Sequence, residues 1–224
     1  NGSNIDGTAE NPIIANEGGS VILVYADATK GWLVVEAAQK SDLSFAEFIV
    51  ATGGTITTVC TNFKVHTFTG PGTFTVCSVG NPSGSDTVDY MVVAGGGGAG
   101  QHYGGGGGAG GFRESPGTAS GSYTASPLGT SPAVALPVSA QGYPITVGAG
   151  GTGSPGSPTS PVQGDNGSNS IFSTITSTGG GAGGGGNPSI YSGNNGGSGG
   201  GGGQSGAGTG NTPPVNPPQG NNGA

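Results

Sequence analysis

The sequence predicts an all-β protein in two parts: small antiparallel β modules over residues 1–94, then a glycine-rich region. Three observations predict it. Runs rich in Val, Ile, Thr and aromatic residues recur at short spacing between turn signals. Glycine and proline supply 54 and 16 of the 224 residues, and both are poor in helix interiors. Their placement is uneven, with 11 glycines in residues 1–94 and 43 in residues 95–224. Charge divides in the same way: after residue 94 only Arg113, Glu114 and Asp165 are charged.

The first module, residues 1–50, contains NPIIANEGG, SVILVYA (20–26) and GWLVVEA (31–37), with DATK between the last two as a short hairpin turn. Trp32 is expected to be its largest core side chain. Segment 38–43 reads as a linker and 45–50 as a strand. In the second module, residues 51–94, TITTVC, FKVHTF and GTFTVCSV read as strands, and TGPG joins the last two as a hairpin. Alternation puts Phe63, Val65 and Thr67 on one face and Lys64, His66 and Phe68 on the other. In SDTVDYMVVA, Val88, Tyr90 and Val92 oppose Asp89, Met91 and Val93, and the apolar end predicts burial on both sides. Phe63, Phe74, Tyr90, Val92, Phe112 and Phe172 join Trp32 as structural candidates. Cys60 and Cys77 allow one disulfide at most; the blander reading is two small, partly buried apolar residues.

Beyond residue 94 the pattern is strand, glycine, strand, glycine. VDYMVVA runs into AGGGGAG, ITV into GAGG, and SIFSTITST into GGGAGGGG. The region spans 95–210, and NTPPVNPPQGNNGA (211–224) is expected to be an extended tail without core residues. The glycine runs break the strict Gly-X-Y period of collagen. Three readings stay open: a flexible linker, irregular β structure, or a bundle of polyproline-II-like segments. In the last, chains without side chains approach closely and hydrogen-bond laterally, which offsets the entropy lost in ordering glycine. Bulky residues at block edges, among them Tyr103, Phe112, Tyr123, Tyr143, Phe172 and Tyr191, are more than a spacer needs.

VHTFTGPGTFTV, then VDYMVVAGGGGAG, then GGGGGAGGFRE, resembles the glycine-rich domain of bacteriophage tail-fibre and virion-fibre proteins, of the kind carried by phages of marine and cyanobacterial hosts. Residues 4–36 resemble the small β module that precedes it in such fibres. The resemblance implies a structural fibre or fibre tip, a homo-oligomer with a trimer favoured, near the host-binding end of a virion. It also implies a polyglycine-II-like bundle, although the Pro/Ser/Thr-rich insert at 114–139 interrupts the blocks. On this reading the chain displays loops for host-surface attachment. A purely architectural linker or decoration protein, and a bacterial surface filament or adhesin subunit, are the alternatives. His102, Tyr103, Tyr123 and Tyr191 are the receptor-contact candidates, while Phe112 is read as an anchor inside the bundle.

Other chemistries lack their residues. A phosphate loop needs GxxxxGK[ST], and no lysine follows Lys64. VGAGGTG precedes no helix and no acidic ribose binder, which argues against a dinucleotide site. Calcium repeats need aspartates that the glycine tracts lack, and a glycosidase needs paired carboxylates. No catalytic residue, cofactor or metal is expected. A net charge of −7 argues against nucleic acid as partner, and no run of 18 apolar residues predicts a membrane span. Expected partners are other virion proteins and a host polysaccharide or outer-membrane receptor. The location is a virion fibre, or otherwise extracellular. The start at NGSNIDG is expected of a processed chain or of a portion of a longer one.

Overall fold

A computed structural model describes residues 5, 13–14, 21–37, 43–44, 46–59, 63–81, 84–117, 126, 134–155, 162–186, 191–204 and 206–224. The protein is all-β, and the described residues contain no helix. Their strands are β1 (Ile13–Ile14), β2 (Val21–Asp27), β3 (Gly31–Ala37), β4 (Leu43–Ser44), β5 (Val50–Thr52), β6 (Thr55–Val59), β7 (Phe63–Thr67) and β8 (Gly72–Ser78). There follow β9 (Thr87–Val88), β10 (Met91–Val93), β11 (Phe112–Glu114), β12 (Leu136–Pro137), β13 (Gly142–Thr146), β14 (Ser170–Phe172) and β15 (Ile175–Ser177). The chain divides into two compact units. One comprises Asn1–Val50, Val76–Thr87 and Val138–Ala140; the other comprises Ala51–Thr75, Val88–Pro137 and Gln141–Ala224.

In the first unit β2 and β3 form the hairpin that DATK predicts, pairing from Val21↔Ala37 to Asp27↔Gly31. The Asp27 carboxylate holds the turn by accepting the amides of Thr29 and Lys30, both at 2.7 Å. Gly31, at φ 69, takes the left-handed position that follows. Trp32 departs from expectation. It packs edge-on against Tyr25, with ring centroids 5.5 Å apart, and stays 40 % exposed. It pairs with Tyr25 across the ribbon and bridges to Ile5, and among the described residues a two-stranded ribbon alone gives so large a ring little cover.

The second unit has a base and a bundle. Its base is the antiparallel sheet β15-β14-β13-β8-β5, beside the hairpin β6–β7 and the pair β10–β11. The apolar core lies here: Phe74 and Tyr143 are each 7 % exposed, and both pack against the half-buried Phe172. His66 meets Phe74 edge-on at 5.0 Å, and its Nδ1 lies 2.9 Å from the Gly53 carbonyl. Tyr90 and Val92 are buried, but Met91 and Val93 are 68 % and 48 % exposed. The end of that run is therefore apolar on both faces and buried on one.

Five strands of the base continue directly into glycine. Segment 94–101 follows β10, 104–111 precedes β11, 148–154 follows β13, 162–168 precedes β14 and 178–186 follows β15. None of these segments is a strand, yet their main chains are hydrogen-bonded to one another. Gly97 and Gly100 donate to Gly108 and Gly105, while Gly95, Gly98 and Gln101 donate to Ser168, Asp165 and Val162. Every third residue thus meets the same neighbour. That is the three-residue turn of polyproline II, not the two-residue alternation of a strand.

Segment 178–186 is the axis of this lattice, and residues 179–185 are all buried. Gly180, Gly183 and Gly186 donate to the parallel segment 94–101; Gly181 and Gly184 donate to Ser198 and Gly201. The third donor direction meets side chains. There the side-chain carbonyls of Asn169 and Asn166 accept the amides of Gly179 and Ala182, at 2.9 and 2.8 Å. All three donor directions of the axis are thereby satisfied. Close approach makes glycine obligatory: a Cβ on Gly181 would lie 1.9 Å from the Asn194 carbonyl oxygen, and one on Gly183 2.0 Å from that of Gly105. A Cβ on Gly106, at the rim, would meet nothing within 4 Å.

The C-terminal residues belong to the same lattice, contrary to the expected extended tail. Gly199 and Gly202 donate to Asn221 and Ala224, and Gly223 donates to Gly208. Gln219 is 1 % exposed. Its Oε1 accepts the Thr178 amide at 2.8 Å, its Nε2 donates to Thr178 Oγ1 and the Pro213 carbonyl, and its own carbonyl accepts the Phe112 amide. A side chain with both donor and acceptor can be buried when each is matched.

Candidate functional site

Bond order along the lattice fixes which residues share an end. Segments 94–101, 148–154, 178–186 and 197–203 run one way, and 104–111 and 162–168 run the other. The end opposite the base therefore gathers the 101–104 turn, Ser154, Val162, Gly186, Tyr191, Gly203, Gly206 and the C-terminal Ala224.

The 101–104 turn, Gln-His-Tyr-Gly, joins two antiparallel lattice segments, closed by Gly100 N donating to Gly105 O at 2.9 Å. His102 and Tyr103 have φ of 56° and 60°. Positive φ at both central residues is the geometry of a type I′ turn, normally filled by Asn-Gly or Gly-Gly. An aromatic residue there costs energy that glycine would not, roughly 1–2 kcal/mol. The main chain beneath is held on two sides: Gln101 N donates to Val162 O, and Gly186 N donates to Gln101 O at 3.0 Å. The two rings meet edge-to-face at 5.0 Å and 72°, and Tyr103 is 77 % exposed. Gln101 Oε1 is buried without a hydrogen-bond partner.

Of the other candidates, Tyr191 is half-buried at the same end, where its carbonyl accepts the Gly203 amide at 2.7 Å. Tyr123 and Cys60 lie outside the described residues, and Cys77 is exposed. Phe112 is half-buried in β11, at the base. The structure thus brings His102, Tyr103 and Tyr191 to one end and puts Phe112 at the other. Sequence reasoning passed over Gln101 and the exposed Val162; no local signal marks either, because their position follows from lattice register. A shallow depression lined by Gly53, Thr67, Phe68, Pro71 and Gly72 presents no titratable group.

Fold and site together define a β base that carries a glycine lattice and presents turns at its far end. The chain belongs to the glycine-rich domain family, whose match covers residues 68–224. No curated protein and no solved structure matches it. No helix among the described residues is long and apolar enough to cross a membrane.

Proposed function

We propose that the protein is a structural component of a virion fibre or fibre tip, of the bacteriophage tail-fibre kind, which displays its far-end turns for attachment to a host surface. It acts there as a homo-oligomer, a trimer by resemblance to such fibres, alongside other virion proteins. Its role is binding rather than catalysis.

The observation that carries this reading is the placement of His102 and Tyr103 at positive φ. Glycine supplies almost every other residue around that turn, so two aromatic residues in a strained conformation point to a use for their rings. A rigid scaffold presenting loops is also where recognition usually lives. The test is adsorption of assembled particles in which Gln-His-Tyr-Gly at 101–104 is replaced by Gln-Asn-Gly-Gly, a better type I′ turn. Adsorption should fall at least tenfold with assembly unchanged. Normal adsorption would leave a purely architectural role.

A further inference from the structure

We infer that the far-end turn binds an uncharged carbohydrate, a pyranose face stacking on the Tyr103 ring while sugar hydroxyls pair with the Gln101 amide. The inference rests on the display reading above and names its ligand. Tyr103 offers an apolar face with a polar rim, 77 % exposed, on main chain fixed by lattice bonds on two sides. Little ordering entropy therefore remains to be lost on binding. His102 packs edge-to-face with it and limits how the ring can swing.

Charge selects against acidic ligands. After residue 94 the only Lys or Arg is Arg113, which sits in β11 at the base. The only side-chain carboxylate in the lattice segments is Asp165, whose carbonyl bonds Gly98, one three-residue turn below the level of Gln101 and Val162. A phosphate or uronate would find no Lys or Arg at the turn. A neutral sugar needs none: it needs an apolar ring face and neutral donors and acceptors.

Gln101 adds an independent observation. The residue is half-buried, and its Oε1 has no hydrogen-bond partner among the described residues, which leaves an acceptor unsatisfied within the fold. Turning the side chain outward frees that acceptor, two residues from Tyr103 in the same turn, to take a sugar hydroxyl. Gln101 is then a binding residue held in a poor resting position, and replacing it by leucine separates its two roles.

The experiment uses the full chain with methyl glucoside, methyl galactoside, dextran and mannan as neutral probes, and dextran sulfate and polygalacturonate as acidic ones. Titration calorimetry reads affinity, and particle adsorption is measured on the same variants. Tyr103→Asn keeps a residue suited to positive φ and removes the ring. It should weaken neutral-probe binding at least tenfold, whereas Tyr103→Trp should keep it within about threefold. Gln101→Leu should weaken binding about fivefold without lowering the melting temperature, since an apolar replacement removes the orphaned acceptor. Binding of acidic probes alone, or of none while adsorption still depends on Tyr103, overturns the carbohydrate assignment and leaves display standing. The latter result points to a protein receptor. Adsorption indifferent to Tyr103→Asn overturns both.

Discussion

At the scale of single residues, glycines of the same tract are unequal. Gly181 is pressed against the Asn194 carbonyl, so Gly181→Ala forces the lattice apart, at a cost of at least about 1–3 kcal/mol. Gly106 faces open space, so Gly106→Ala should be neutral or stabilise by about 0.4–1 kcal/mol through the unfolded chain. Denaturant unfolding checks both. Exchange of the Gly108 amide, which donates to the Gly181 carbonyl, should accelerate only in the first. Gln219→Ala removes the acceptor of the Thr178 amide at the junction of base and bundle, and should destabilise by about 1–3 kcal/mol. Gln219→Glu should be worse than its volume implies, because it also loses both Nε2 donors.

Among the elements, the strand-forming runs were legible, but the pairing across TGPG and the lattice period were not: β7 pairs with β6, and β8 with β13. SVILVYA and GWLVVEA announce β2 and β3 through β-branched and aromatic residues, and DATK announces their turn. The Asp27 carboxyl is held below its ordinary value of 3.8, first by the Lys30 amide and then by that of Thr29. A depressed folded value stabilises the hairpin above the unfolded value, and that contribution is lost as pH falls through the folded one. Amide signals of Thr29 and Lys30 should therefore lose their downfield shift in acid, and Asp27→Asn should abolish that titration. The three-residue period escapes sequence reading because main chain makes the contacts, so no side-chain pattern records it. Tail burial escapes it too, since Gln219 is a polar residue after two prolines and becomes buried only through its matched amide. Asn166 and Asn169 stand three apart, and their side-chain carbonyls accept the axis amides of Ala182 and Gly179. Changing both to alanine should speed exchange of the Ala182 amide, which belongs to a residue that is 0 % exposed.

For the molecule as a whole, the base supplies the side-chain core and the bundle is held by main-chain bonds. Heating or denaturant should thus not separate them, because segments 94–101 and 178–186 hang from β10 and β15. A single cooperative transition followed by calorimetry and by tyrosine fluorescence is the expected result. The apolar faces of β2–β3, where Ile22, Val24 and Val35 are each at least 50 % exposed, are the surfaces that the proposed assembly would cover. Native mass measurement should find a trimer, and a stable monomer with a cooperative melt would remove assembly from the proposal. The threefold screw has a further consequence, for descent rather than stability. Each lattice turn is about 9 Å tall, so the scaffold can lengthen only in triplets, and only if adjoining segments gain the same triplet together. The turns beyond the last rung answer to no such ruler. A lineage can therefore rewrite what it touches one residue at a time while its height stays quantised.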